Sequence, residues 1–246
     1  MNPFPATSSD ANDAESAWAK TKNYFKQQRP LKRIRKVVVV GSVELVFRRF
    51  DTPQLVVAGE TEESVESLET RYEGDTLYIQ RKGGNVTVNM GGGNTTVSFG
   101  NGNIHISGRN IHISTGSGSM NVSQGKVVVG LALPVAPDVA VQGSGDATLW
   151  DLQQEAIELE VAGSGDIQIQ GRVAMLEAEV AGSGDIDATE LVSDRARLSV
   201  AGSGDIEAHV RRSVKAKVAG SGDIRIYGNP DQRDTKVAGS GSIKFR

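Results

Sequence analysis

Apolar and polar residues alternate at every second position through most of the chain, a period that predicts strands rather than helices. Val37–Val40, Val43–Phe47 and Leu55–Val57 are short β-branched or aliphatic runs. Leu68–Tyr72 and Thr76–Ile79 flank Glu73-Gly74-Asp75, a turn signal. From residue 141 the alternation becomes a repeat. Val141-Gln-Gly-Ser-Gly-Asp-Ala147 is followed by Val161-Ala-Gly-Ser-Gly-Asp-Ile167, with identical copies at Val180–Ile186, Val200–Ile206 and Val218–Ile224. A sixth copy, Val237–Ile243, carries serine where the others carry aspartate, and the six starts lie 20, 19, 20, 18 and 19 residues apart.

A fixed period near twenty with strand-like alternation predicts stacked coils. Before each motif, Leu159/Val161, Ala178/Val180, Leu198/Val200 and Ala216/Val218 sit two apart; after it come Ile167/Ile169, Ile186/Ala188, Ile206/Ala208, Ile224/Ile226 and Ile243/Phe245. Both sets can point inward, and stacking at about 4.8 Å would lay valine over valine and isoleucine over isoleucine. The fold predicted is all-β: a right-handed parallel β-helix, or β-solenoid, with a short N-terminal helix. Gly143/Gly145, Gly163/Gly165, Gly182/Gly184, Gly202/Gly204, Gly220/Gly222 and Gly239/Gly241 are then structural corners, where positive φ and close backbone approach let the chain turn without a side-chain clash. A phosphate cradle is the rival reading of these glycines, but no lysine and helix follow them.

Two segments depart from the repeat. In residues 1–36, Ser8-Ser9-Asp10 can cap a helix running to about Gln28, with Ala14, Trp18, Thr21 and Phe25 on one face. This helix would dock on the solenoid or bind a partner or membrane surface. The basic cluster Arg29, Lys32, Arg33, Arg35 and Lys36 reads as a solvated linker, with an anionic-lipid or nucleic-acid patch as the alternative. Residues 37–246 form the solenoid, less regular coils or hairpins over 37–125 and regular coils over 126–246. Within the irregular part, Asn103–Ser107 repeats as Asn110–Ser114 across Gly108-Arg109, which predicts a hairpin or successive solenoid strands.

The repeated Val-Ala-Gly-Ser-Gly-Asp-Ile coils, following a strand ending near Asp75–Gln80, resemble the bacterial GIN-domain family, the head domain of putative autotransporter adhesins. The resemblance covers roughly residues 37–246. It implies a β-helix, an adhesive role and display at the cell envelope or surface. Met1–Lys20 is polar and acidic and has no secretory-signal pattern, which by itself suggests the cytoplasm. No apolar run approaches the length of a membrane-spanning helix.

Composition narrows the chemistry. Aromatics are only 5% of the chain, as a narrow aliphatic core would require, and twelve of the 29 glycines stand in the corners. With no cysteine, disulfides, thiolate metal sites and thiol catalysis are excluded. A net charge of −3 from 27 basic and 30 acidic residues gives no sign of a nucleic-acid binder. Asp146, Asp166, Asp185, Asp205 and Asp223 fall once per coil and should form a ladder. Stacked like charges repel by about 1 kcal/mol per neighbouring pair even in water. Hydrogen bonds from the corner amides could offset this, or a bridging cation, in which case the ladder would be a calcium site. The outward positions before the motifs run Glu158/Glu160, Glu177/Glu179, Arg197/Ser199, Lys215/Lys217 and Lys236, acidic to basic along the stack. This is a solvated face, or one able to pair solenoids antiparallel or end to end, where opposite charges would meet.

His105 and His112 could hold a metal as a pair or simply face solvent, and His209 stands alone. No serine has an evident histidine–acid partnership. No cofactor is implied. The function expected is a non-enzymatic, adhesin-like module presenting an extended surface to a carbohydrate or protein partner. The alternatives are an intracellular self-assembling scaffold and, less favoured by so uniform a ladder, a polysaccharide-acting enzyme.

Overall fold

The computed structural model describes residues 18–82, 85–90, 93–100, 103–105 and 125–246, with side chains described for 18–82 and 125–246. The elements are β1 (Phe25–Arg29), β2 (Lys36–Val40), β3 (Glu44–Arg49), β4 (Gln54–Gly59), α1 (Glu62–Glu66), β5 (Leu68–Glu73), β6 (Thr76–Arg81), β7 (Asn85–Met90), β8 (Gly93–Gly100), β9 (Asn103–His105), β10 (Val127–Leu133) and β11 (Asp138–Gly143). They continue with β12 (Asp146–Gly163), β13 (Ile167–Gly182), β14 (Ile186–Gly202), β15 (Ile206–Gly220), β16 (Asp223–Tyr227), β17 (Gln232–Gly239) and β18 (Ser242–Phe245).

These strands build a β-solenoid of about five turns. The heptapeptides lie above one another in register: Val161 pairs with Val180, Val180 with Val200, Val200 with Val218, and Val218 with Val237, all in parallel. The column runs on through Val141 and Val39 to Ile79. A second column stacks Leu45, Ala147, Ile167, Ile186, Ile206, Ile224 and Ile243. From Leu45 to Ile224 these side chains are buried in one continuous apolar core. Each long strand bends into legs. In β14 they pair as Ile186–Ala188, Leu191–Ser193 and Arg195–Gly202, with the ladder register slipping between them.

The sequence-based expectations need amending toward the N-terminus. Parallel stacking gives way to antiparallel pairing, β1 with β4, β4 with β10, and β5 with β6. The helix expected to reach about Gln28 does not: Trp18 and Ala19 are helical, a turn follows, and β1 begins at Phe25. The Thr21 hydroxyl and amide both return to the Trp18 carbonyl, closing the turn. The expected apolar stripe therefore splits, with Trp18 and Thr21 buried and Phe25 exposed. The part of that helix before Trp18 lies outside the described residues.

The buried Trp18 packs with Val46, Val56, Ala58, Val128, Ala132 and Trp150 in a second apolar cluster outside the main core. Within the described part of residues 1–36, β1 belongs to the main sheet, and Lys32, Arg33 and Arg35 lie exposed in the connection between β1 and β2. The basic residues of this part are dispersed into local contacts. Arg29 donates to the carbonyls of Val65 and Leu68, Lys32 lies over the Tyr72 ring, and Arg35 and Lys36 pair with acids. In the irregular part, β7, β8 and β9 form a separate three-stranded antiparallel sheet. β9 pairs there with β8; the hairpin partner expected for it at residues 110–114, including His112, lies outside the described residues.

Candidate binding surfaces

The Gly-Ser-Gly corner is a backbone device. In each regular coil the carbonyl of the first glycine accepts the amides of the serine and second glycine one coil on, as Gly182 does from Ser203 at 2.8 Å and Gly204 at 3.2 Å. Both glycines of a corner lie against the coil before, and only the first also takes positive φ. The first glycine of each pair has positive φ, as at Gly202 with +140°. The second, at Gly145, Gly165, Gly184, Gly204, Gly222 and Gly241, lies outside that region. What excludes a side chain at these second positions is the coil before. A Cβ on Gly165 would overlap the Gly145 carbonyl oxygen, one on Gly204 that of Gly184, one on Gly222 that of Gly204, and one on Gly241 that of Gly222. At Gly145, in the first copy of the motif, the obstructing oxygens belong to Val43 and Gly41. The corner must therefore be bare backbone against bare backbone.

The five aspartates follow these corners as an outer ladder. Each carboxylate accepts the backbone amide of the residue at the same place in the next coil. Asp166 donates to Asp146 at 3.2 Å, Asp185 to Asp166 at 2.9 Å, Asp205 to Asp185 at 2.7 Å and Asp223 to Asp205 at 2.7 Å. In place of the bonds expected from the preceding corner amides, the donor is the aspartate amide of the following coil, so the ladder ties coils together. At the last rung Ser242 completes the series with both amide and hydroxyl on Asp223. The Ser242 hydrogen bonds, with Lys244 and Arg225 nearby, hold the Asp223 pKa below its ordinary value. Arg225 is a local hub, 2.7 Å from Glu207, 3.3 Å from Asp205 and 3.7 Å from Asp223. Guanidinium and ammonium groups thus supply the counter-charge at this end. Among the described residues no three histidine, aspartate or glutamate side chains gather so as to hold a metal ion.

The charged face before the corners keeps its predicted order in space. Glu158, Glu177, Arg197 and Lys215 form one column, and Glu160, Glu179, Ser199, Lys217 and Lys236 the next. The structure adds a reversal of sign at both ends. Lys36 reaches Glu158 at 3.4 Å and Glu160 at 3.5 Å, while Asp234 pairs with Lys215 at 3.1 Å. Burial alone would lower the Lys36 pKa, but the two glutamates outweigh it and raise it.

The sequence did not disclose a groove along the bend that leads into this leg. Three open cavities of about 690, 690 and 710 Å³ follow one another along the stack. The first two share Val135, Gln154 and Ala156, and the second and third share Ala174 and Asp194. Val135 is 60% exposed there. Arg172 and Arg211 line the middle cavity, Arg195 and Arg212 the third, and Asp194 lies 3.7 Å from Arg211 and 3.8 Å from Arg212. These residues come from bends that break the repeat, so no motif marks them. His209 stands apart from the groove lining; its carbonyl accepts the Ser193 hydroxyl.

A solenoid of Gly-Ser-Gly-Asp coils with one surface for each leg defines a class, and comparison with known proteins gives the family. The model of the family described as "putative auto-transporter adhesin, head GIN domain" matches residues 34–230, and the chain belongs to that family. The fold is shared with crystal structures of a "putative adhesin" from Bacteroides fragilis and a "putative lipid binding protein" from Parabacteroides distasonis. The first has a TM-score of 0.60 at 17% identity, covering 92% of this chain and 98% of that one. The second has a TM-score of 0.52 at 20% identity, covering 92% and 97%. No curated protein matches the chain. No helix among the described residues is long and apolar enough to cross a membrane.

Proposed function

We propose that this domain is a non-enzymatic, adhesin-like binding module whose groove takes an extended macromolecular partner, with a polysaccharide as the leading class. The observation that carries the reading is the continuity of the groove. It spans successive coils, and each of its three cavities is lined by at least two basic side chains, as an extended acidic ligand requires. Arginine forks with apolar side chains between them suit sugars bearing carboxylate or sulfate groups. Membership of the adhesin-head family supports the same reading. The uniform aspartate ladder does not supply the paired, unlike carboxylates that a glycosidase uses, which favours binding over hydrolysis.

Immobilised neutral and acidic polysaccharides, probed with the purified protein, test this reading. Retention on acidic chains that falls at least tenfold in Arg172→Ala/Arg211→Ala supports it. Equal retention of wild type and variant, or none on any polysaccharide, overturns it.

A further inference from the structure

The charged face has a symmetry that the groove lacks. Its strands present three outward columns. Two are charged, and the third is Ala162, Ala181, Ala201, Ala219 and Ala238, a flat strip bordering the corners. Consider a two-fold axis lying along the strand direction, between the coil of Glu177 and the coil of Arg197. It preserves position along the strand and reverses the order of coils. Glu177 then meets Arg197 of a second copy, Glu158 meets Lys215, and Glu160 meets Lys217, while alanine meets alanine and leaves room for close approach. Turning the second copy parallel instead would set Glu158 on Glu158 and Lys215 on Lys215, which repel.

We infer that this face pairs two copies of the chain antiparallel, in an isologous contact. Glu177, Glu179, Lys215 and Lys217 are exposed; Lys217 makes no ion pair among the described residues, while Glu177 pairs with Arg197 at 3.6 Å, Glu158 and Glu160 with Lys36, and Lys215 with Asp234, so the contact adds a second partner to these charges. The central four coils offer about 400 Å² per copy, from coil spacing and strand rise. That is about half the usual stable interface. The association is therefore weak, concentration-dependent and governed by salt. It is distinct from the groove, which centres on the bend before this leg, with Ala156 and Arg195 of the groove two residues from Glu158 and Arg197.

Sedimentation velocity over a concentration series tests the pairing. The full chain should dimerise at about 0.01 M ionic strength and be monomeric at 1 M, where the screening length falls from about 30 Å to about 3 Å. Lys217→Glu should weaken the dimer at least tenfold, and Glu160→Lys/Lys217→Glu should recover it, since the two positions face one another across the axis. Ala201→Arg, which fills the flat strip, should abolish it. Ala201 and Lys217 are exposed, whereas Glu160 is half-buried and gives up its pair with Lys36, so the melting temperature of each variant is measured alongside to separate lost pairing from lost folding. A monomer at every concentration in low salt overturns the proposal. So does a dimer that Lys217→Glu leaves intact, or one that the double exchange fails to recover.

Discussion

The two ends of the solenoid solve the problem of exposed sheet surface differently. A single outward column shows it: Val46, Thr148, Gln168, Asp187, Glu207, Arg225 and Lys244 lie in register from one end to the other. At the N-terminal end the outward residue is apolar, and Trp18 with its neighbours covers it. From Thr148 onward the column is polar and stands in water. At the far end the core itself changes. The inward column of Ala196 and Val214 closes with Arg233, stacked 4.2 Å from the Phe245 ring and bonded to Pro230 and Asn229. Thr235 likewise follows Ala216. An added apolar layer covers the outward face in the first part, whereas in the last coil two of the five inward positions turn polar, Arg233 and Thr235, and Val237 stays 44% exposed. Lys236 and Lys244 on the last strands also discourage further strand addition.

The sharpest way to break this comparison is at a corner. Gly204→Val drives side-chain atoms into the Gly184 carbonyl and should cost more than about 3 kcal/mol, seen as a collapse in melting temperature. Gly74→Ala, in the N-terminal turn, has nothing within 4 Å of the new Cβ and meets only the penalty of φ +61°, about 1 kcal/mol. Equal losses at the two sites would mean that close stacking is not what distinguishes the regular coils.

Next in size is the covering layer. Trp18→Ala should cost about 3 kcal/mol and raise binding of an apolar dye, because Val46, Val56 and Val128 lose their cover. Gln168→Ala, in the polar part of the same outward column, should leave both readings near wild type.

The smallest effect is in the acid limb. Burial foremost, with Glu158 adding to it, raises the Asp138 pKa against the opposing hydrogen bond from the Glu158 amide. Its charge therefore opposes folding at neutral pH, and that penalty disappears as pH falls through the raised value. Asp223 has the opposite sign. Its lowered pKa stabilises the native state above the ordinary aspartate value of 3.8, and the contribution is lost as pH falls below it. Asp138→Asn should thus stabilise at pH 7 by less than about 1 kcal/mol and flatten the upper acid limb. Asp223→Asn should alter only the lower one. Melting curves from pH 7 to pH 2 separate them, and matching profiles for the two variants would contradict these assignments.

Much of this was legible beforehand because stacking repeats one local decision in every coil. The valine and isoleucine columns, the corner glycines and the aspartate ladder can each be read from a heptapeptide. The reason both corner positions must be glycine cannot, because what bars a side chain at Gly165 or Gly222 is a carbonyl about nineteen residues earlier. The N-terminal segment was harder. The spacing of Trp18, Thr21 and Phe25 satisfies a helix, yet β4 offers an open edge to residues 25–29, and tertiary pairing overrides the local period. The groove was hidden for a related reason. Asp194, Arg211 and Arg212 sit where the ladder register slips, so coil spacing does not align them.

The chain by itself determined its period, its core columns, its corners and the order of charges along the stack, because each is a property of residues two or about nineteen apart. Only the tertiary structure decided which strands turn antiparallel, what Trp18 covers, which coil donates to each aspartate, and where the bends open a groove. Those outcomes depend on contacts between residues far apart in the chain, such as Val46 with Trp18 or Lys36 with Glu158. Their free energy arises only when the coils have stacked.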